Sequence, residues 1–93
     1  MGIVFEWDGR KATANLRKHG VSSEEAATVF SDPLSLSIPD PDHSEDEERF
    51  LLVGTCFQGQ LMVVAHSERG DRVLVISARA ATGRERRTYG ESW

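Results

Sequence analysis

The stretch FLLVGTCFQGQLMVVAHSERGDRVLVISAR, residues 50–79, reads as three apolar-rich runs broken by two turn signals. Phe50 to Phe57 meets Gln60 to Ser67 through Gln58-Gly59, and that second run meets Arg72 to Arg79 through a turn at Arg69-Gly70. Runs of this composition joined by glycine-containing turns predict antiparallel hairpins. The spacing of the second turn places Glu68 opposite Asp71, His66 opposite Val73 and Gln60 opposite Arg79. His66 and Arg79 then lie at opposite ends of the hairpin, roughly 20 Å apart at ~3.3 Å per residue. The first turn sets Phe57 beside Gln60, near Arg79 and the start of whatever follows the last strand.

Outward from this hairpin pair, the chain alternates between helix and strand patterns. IVFEW (3–7) is a short strand, with Trp7 expected in the core. Asp8 can cap a helix over 9–19 that carries Ala12, Leu16 and His19 at helical spacing, and Gly20 supplies its left-handed stop. Ser22 with Glu25 forms a capping box for a helix over 23–31 that buries Ala26, Ala27 and Phe30. Pro33 ends it, and LSLSI (34–38) reads as a strand with Leu34, Leu36 and Ile38 inward. The acidic loop PDPDHSEDEE (39–48) precedes the hairpins. Thr82 with Glu85 is a second capping box, opening a last helix over 83–90. The order β-α-α-β-β-β-β-α predicts an α+β fold in one small domain spanning 1–93, a mostly antiparallel sheet with helices on one face.

Composition limits the function classes. Hydrophobic residues are 39% of the chain, enough for one modest core. Cys56 is alone, so no internal disulfide is expected and a reducing cytoplasm suits the chain. The opening MGIVFEWDGRK has no long apolar run, so no signal peptide, membrane span or membrane contact is expected. The formal net charge is -4, unevenly spread. Residues 1–48 hold four Lys/Arg against eleven acids, whereas residues 49–93 hold seven Arg against four acids. Arginine is the better bidentate ligand for phosphate, and equally the better buried ion-pair partner.

The closing segment ISARAATGRERRTYGE (76–91) concentrates the candidate chemistry. Arg79 points from the strand end towards a helix on which Glu85 and Tyr89 are i,i+4 neighbours and Arg84 and Arg87 stack at i,i+3. Arginines can hold a scissile phosphate and offset its developing charge while Glu85 or Tyr89 trades protons, with no metal required. The competing reading is a capped, solvated helix laced with Glu–Arg pairs. His66, among Met62 and Val64, is a satisfied half-buried histidine or a reserve base. Lys18 and His19 sit at a helix C-terminus, where cations complement the dipole. His43 and its acidic neighbours lack the spacing and glycine of a calcium loop. No phosphate-binding glycine loop, nucleophile elbow, CxxC or HExxH occurs, so no cofactor or metal is expected.

FEWDGRKATANLRKHGVSSEEA (5–26) resembles the opening signature of the BrnT toxins, F-E-W-D, a lysine three residues later, then N-x-x-K-H-G-V and an acidic helix start. VISARAATGRERRTYGE (75–91) resembles that family's closing signature, I-S-A-R-x-A-T-x-x-E-x-x-x-Y-E. Ser23 stands where an aromatic residue is usual, and Gly90 interrupts the Tyr-Glu ending. The resemblance implies a RelE-like microbial ribonuclease fold. It also implies a toxin of a type II toxin–antitoxin pair that inhibits translation by cleaving RNA. The implied partner is a BrnA-like ribbon-helix-helix antitoxin, through which alone DNA would be met. The resemblance marks Arg79, Glu85 and Tyr89 in the closing signature and Lys18 and His19 in the opening one. Joined to the reading of the residues, Arg79, Glu85 and Tyr89, with His66 in reserve, are the expected catalytic residues. Arg84, Arg87, Lys18 and His19 are the expected RNA-phosphate ligands. The alternative is a non-catalytic module, an inactive toxin or co-repressor, acting only through protein contacts.

Overall fold

The structure, a computed structural model, describes residues 3–40 and 48–91. The predicted loop centre around His43, and Trp93, lie outside the described residues. Asp8 caps the first helix, its carboxylate accepting from the N–H groups of Arg10 (2.9 Å) and Lys11 (3.2 Å). Gly20, at φ 71°, ends it by donating to the Leu16 carbonyl. The elements are β1 (Val4–Trp7), α1 (Gly9–His19), α2 (Ser23–Thr28), β2 (Leu36–Pro39), β3 (Arg49–Thr55), β4 (Leu61–Arg69), β5 (Arg72–Ala80) and α3 (Gly83–Glu91). The second predicted helix tightens to a 3₁₀ turn at Val29–Ser31. The five strands form one sheet in the order β1-β5-β4-β3-β2, antiparallel except for β1 beside β5. The α+β class, the element order and the mostly antiparallel sheet therefore hold.

Both predicted registers slip, for local reasons. β3 ends at Thr55 opposite Leu61, and Cys56 exchanges hydrogen bonds with Gln60 and Gly59. A three-residue loop, Phe57 to Gly59, replaces the two-residue turn, with Gly59 at φ 83° as such loops require. Phe57 is an exposed loop residue. The second turn centres on Gly70-Asp71, pairing Arg69 with Arg72, because glycine at φ 64° suits the first central position of a tight hairpin turn. His66 consequently faces Val75, and Arg79 faces Val63.

Between those pairs β5 carries a bulge. Ala65 pairs with Ser77 and His66 with Val75, so Ile76 is an extra residue without an opposite number. Strict alternation would put Val73, Val75, Ser77 and Arg79 on one face. The bulge inverts the phase. Val73, Val75 and Ala78 join the core with Met62, Val64, Leu52, Val21, Ala26 and Val29, while Arg79 turns to the other face.

Helices α1 and α2 flank the core face, as expected. Helix α3 does not join them, and its residues face Leu36, Ile38, Leu51, Val53 and Val63 on the opposite side of the sheet. The departure of the chain from β5 after the phase inversion sends it there. Other expectations also give way. Asp32 accepts from the N–H groups of Leu34 and Ser35, so 33–35 turns instead of pairing, and Leu34 and Ile38 are exposed. Trp7 is 40% exposed, because β1 is the edge strand and has no strand beyond it to form a wall.

The inward residues of α1 are Ala12 and Asn15, with Leu16 exposed. Past Trp7 the β1 side of β5 has no strand partner, and Asn15 fills that role. Its Oδ1 accepts from the buried Ala78 N–H at 3.0 Å and its Nδ2 donates to the Val21 carbonyl at 3.1 Å. Asn15→Ala leaves that N–H unsatisfied, so denaturant titration is expected to show a loss of about 1–3 kcal/mol.

Candidate active site

The site begins where β5 passes into α3. Turned outward by the bulge, Arg79 meets Glu85 in a bidentate pair, Nη1 to Oε1 at 2.7 Å and Nη2 to Oε2 at 2.9 Å. Its Nη1 also reaches the Ala80 carbonyl at 3.3 Å. Glu85 is fixed from a second side by the predicted capping box. Its Oε1 accepts from the Thr82 N–H, and Thr82 Oγ1 accepts from the Glu85 N–H. One carboxylate thus starts the helix and aims the arginine. End-on pairing leaves the side edge of the guanidinium, Nε–H with the remaining Nη2–H, without an acceptor among the described residues. The Arg79 side chain is 39% exposed.

The Arg79 hydrogen bonds hold the Glu85 carboxyl down at about 2, against an ordinary 4.5, with the Thr82 N–H adding to the effect. Glu85 is an anion throughout the neutral range and a very weak base. Because the folded value is depressed, the pair's stabilisation is complete above about pH 4.5 and drains away as pH falls towards 2. Gln at this position keeps the capping box but not the charge. Melting temperatures of the native chain and Glu85→Gln are expected to differ at pH 7 and converge through that acid window.

Tyr89, one turn beyond Glu85, donates its hydroxyl to the Leu34 carbonyl at 2.9 Å, with Asp32 Oδ2 at 3.4 Å. Asp32 is a hub that the sequence reading missed. Its Oδ2 accepts from the Thr55 N–H (2.8 Å) and its Oδ1 from the Leu34 N–H (2.9 Å). The Thr55 hydrogen bond, chiefly, holds its carboxyl below the ordinary range. The signal was present as Ser-Asp-Pro at 31–33, an Asx-turn sequence read only as a helix stop.

Arg84, Glu85, Thr88 and Tyr89 rim an open cleft of about 340 Å³ whose floor is Leu36, Ile38, Leu51, Val53 and Val63. Arg87 is exposed on the same helix. His66 is not brought to this site. It is 1% exposed on the opposite face, edge-on to Phe30 (4.9 Å) and stacked on Phe50 (5.7 Å). Its Nε2 lies 3.4 Å from Glu68, and its Nδ1 has no partner among the described residues. The separation from Arg79 comes from the sheet between them, not from the long hairpin distance expected. Lys18 and His19 are also elsewhere, lining a second cleft between α1 and β5. Among the described residues no three His, Cys, Asp or Glu side chains gather as a metal site, and no helix is long and apolar enough to cross a membrane.

A family model described as the ribonuclease toxin BrnT of type II toxin–antitoxin systems matches residues 7–85. The crystal structure of the Brucella abortus ribonuclease toxin BrnT shares the fold, with a TM-score of 0.65 at 24% identity over 88% of this chain and 97% of that one. No curated protein matches the chain. The match defines a ribonuclease toxin of a type II toxin–antitoxin system, and the shared fold agrees with it. The chain belongs to the BrnT family.

Proposed function

We propose that the chain is an endoribonuclease that stops translation by cutting RNA at Arg79, without a metal ion. The observation that carries this reading is the guanidinium's orientation. Glu85 occupies its end, and the side edge left open presents two parallel N–H donors, the geometry that suits a phosphate's oxygens. Arg84 and Arg87 add positive charge on the same helix. A ribose 2′-oxygen loses its proton to solvent and attacks the adjacent phosphorus. Arg79 offsets the charge growing on the phosphorane oxygens. Tyr89, whose proton rests on the Leu34 carbonyl, is the candidate acid for the departing 5′-oxygen. The products are a 2′,3′-cyclic phosphate and a 5′-hydroxyl. Glu85 serves as the positioning residue for Arg79 instead of the base, since its carboxyl sits at about 2. His66, buried behind the sheet, takes no part.

The cytoplasm is the proposed place of action, and a BrnA-like ribbon-helix-helix antitoxin the proposed partner, carrying any contact with DNA. Incubating the purified chain with RNA in excess EDTA tests the chemistry. Cleavage with cyclic-phosphate ends is expected. Loss of cleavage in EDTA, or products ending in a plain 3′-hydroxyl, overturns the scheme. Absence of cleavage by a folded chain returns it to the non-catalytic module.

A further inference from the structure

Helix α1 carries a charge pattern that its own stability does not explain. Every Lys and Arg of residues 1–48 lies on it, Arg10, Lys11, Arg17 and Lys18, and it contains no acid. Cations in the last turn complement the helix dipole, but Lys11 lies in the first turn, where a cation opposes it. Neither Lys11 nor Lys18 has a carboxylate partner among the described residues.

Their direction is fixed. Asn15 points at the free edge of β5, bonded to the Ala78 N–H. At about 100° per residue, Lys11 and Lys18 lie roughly 40° and 60° to one side of Asn15, while Arg10 and Arg17 lie about 140–160° away. Two helical turns separate the lysines, about 10 Å along the axis. Both line an open cleft of about 310 Å³ whose other wall is Ile76 and Ser77 of β5. Ser77 is exposed and two residues before Arg79. Because the bulge at Ile76 precedes both, Ser77 and Arg79 share a face, about 7 Å apart. A continuous path thus runs from Arg79 over the unpaired edge of β5 to two lysines.

We propose that Lys11 and Lys18 form a second phosphate subsite, gripping the RNA strand that flanks the bond cut at Arg79. The proposal rests on the RNA-cleavage reading above. Its partner is a nucleic-acid backbone extending beyond one nucleotide, and its contacts are to phosphates, so it adds affinity for longer RNA without base preference. Flexible ammonium groups suit a strand whose phosphates vary in position.

The test uses the full chain and a fluorescein-labelled 20-nucleotide RNA, with binding followed by anisotropy and cleavage by gel. Lys11→Gln/Lys18→Gln is compared with Arg10→Gln/Arg17→Gln, an equal charge change on the far side of the same helix. Two single-strand phosphate contacts contribute about 1.4 to the slope of log K against log salt. Between 50 and 200 mM salt the native chain is therefore expected to lose about sevenfold more affinity than the lysine variant. The arginine variant should keep the native slope. The lysine variant's KM should rise, and the penalty should shrink as the RNA is shortened to a trinucleotide. Equal effects from both variants would mean a diffuse field, and no effect from either would mean no contact; each overturns the subsite. Failure to cleave, with the lysine-dependent slope intact, would instead overturn the catalytic reading alone.

Discussion

Replacing Arg79 with alanine is expected to lower RNA cleavage by about 10²–10³-fold, the usual cost of removing one preorganised group from a developing oxyanion. The chain should keep its fold. The Arg79–Glu85 pair is partly solvated, with side chains 39% and 33% exposed, so its loss costs at most about 1 kcal/mol. Glu85 retains its capping bond with the Thr82 N–H, so α3 still starts in the same place. Lysine at position 79 should not restore the rate. An ammonium cannot fork onto Glu85 and offer a second parallel edge to phosphate at once. Induced in bacteria, Arg79→Ala should permit growth while still co-purifying with the antitoxin. A variant that cuts RNA at the native rate would show that this guanidinium serves the fold or the partner instead.

Gly54→Ala is expected to be the more damaging change to the protein as a folded object. Gly54 needs no unusual backbone angle; what it needs is space. An added Cβ would sit 2.8 Å from Ser35 Cβ, 3.0 Å from Val29 Cγ1 and 3.2 Å from Asp32 Oδ2. None of these neighbours is the free end of a long side chain. Overpacking of this kind costs about 1–3 kcal/mol, readable by urea titration. It would also push away Asp32 Oδ2, which lies beside the Tyr89 hydroxyl. Cleavage should therefore fall further than the loss of folded protein explains. Adding Ser35→Gly removes the closest clash, so the double variant should be less destabilised than the two single changes added together. Simple additivity would mean that the contact with Ser35 is not the cause.

These expectations draw unequally on what the sequence disclosed. Capping at Asp8, Ser22 and Thr82, the stop at Gly20 and the strand runs were legible because each is a local signal. Glu85's pairing with Arg79 was half legible, since the capping box was visible and the ion pair requires knowing which way β5 faces. The bulge was the obstacle. In VLVISARA (73–80) one alternation phase, Leu74, Ile76, Ala78 and Ala80, is apolar throughout, while the other changes from Val73 and Val75 to Ser77 and Arg79, and that change is the bulge's trace. Reading that break as a phase inversion would have placed Arg79 and α3 on the face away from α1 and α2. Asp32 was hidden for another reason. Its partners Thr55 and Tyr89 are distant in the chain, and no spacing rule links them.

The parallel pairing of β1 with β5 sets Val4 beside Arg72, so the first strand cannot be seated until β5, made long after it, exists. Such non-local pairing is slow to nucleate, because the loop must close before its contacts reward it. Arg79, Glu85 and Tyr89 are later still in order of synthesis. At about 5–20 residues per second, the ribosome making this chain therefore spends several seconds holding a segment that lacks the proposed cutting surface.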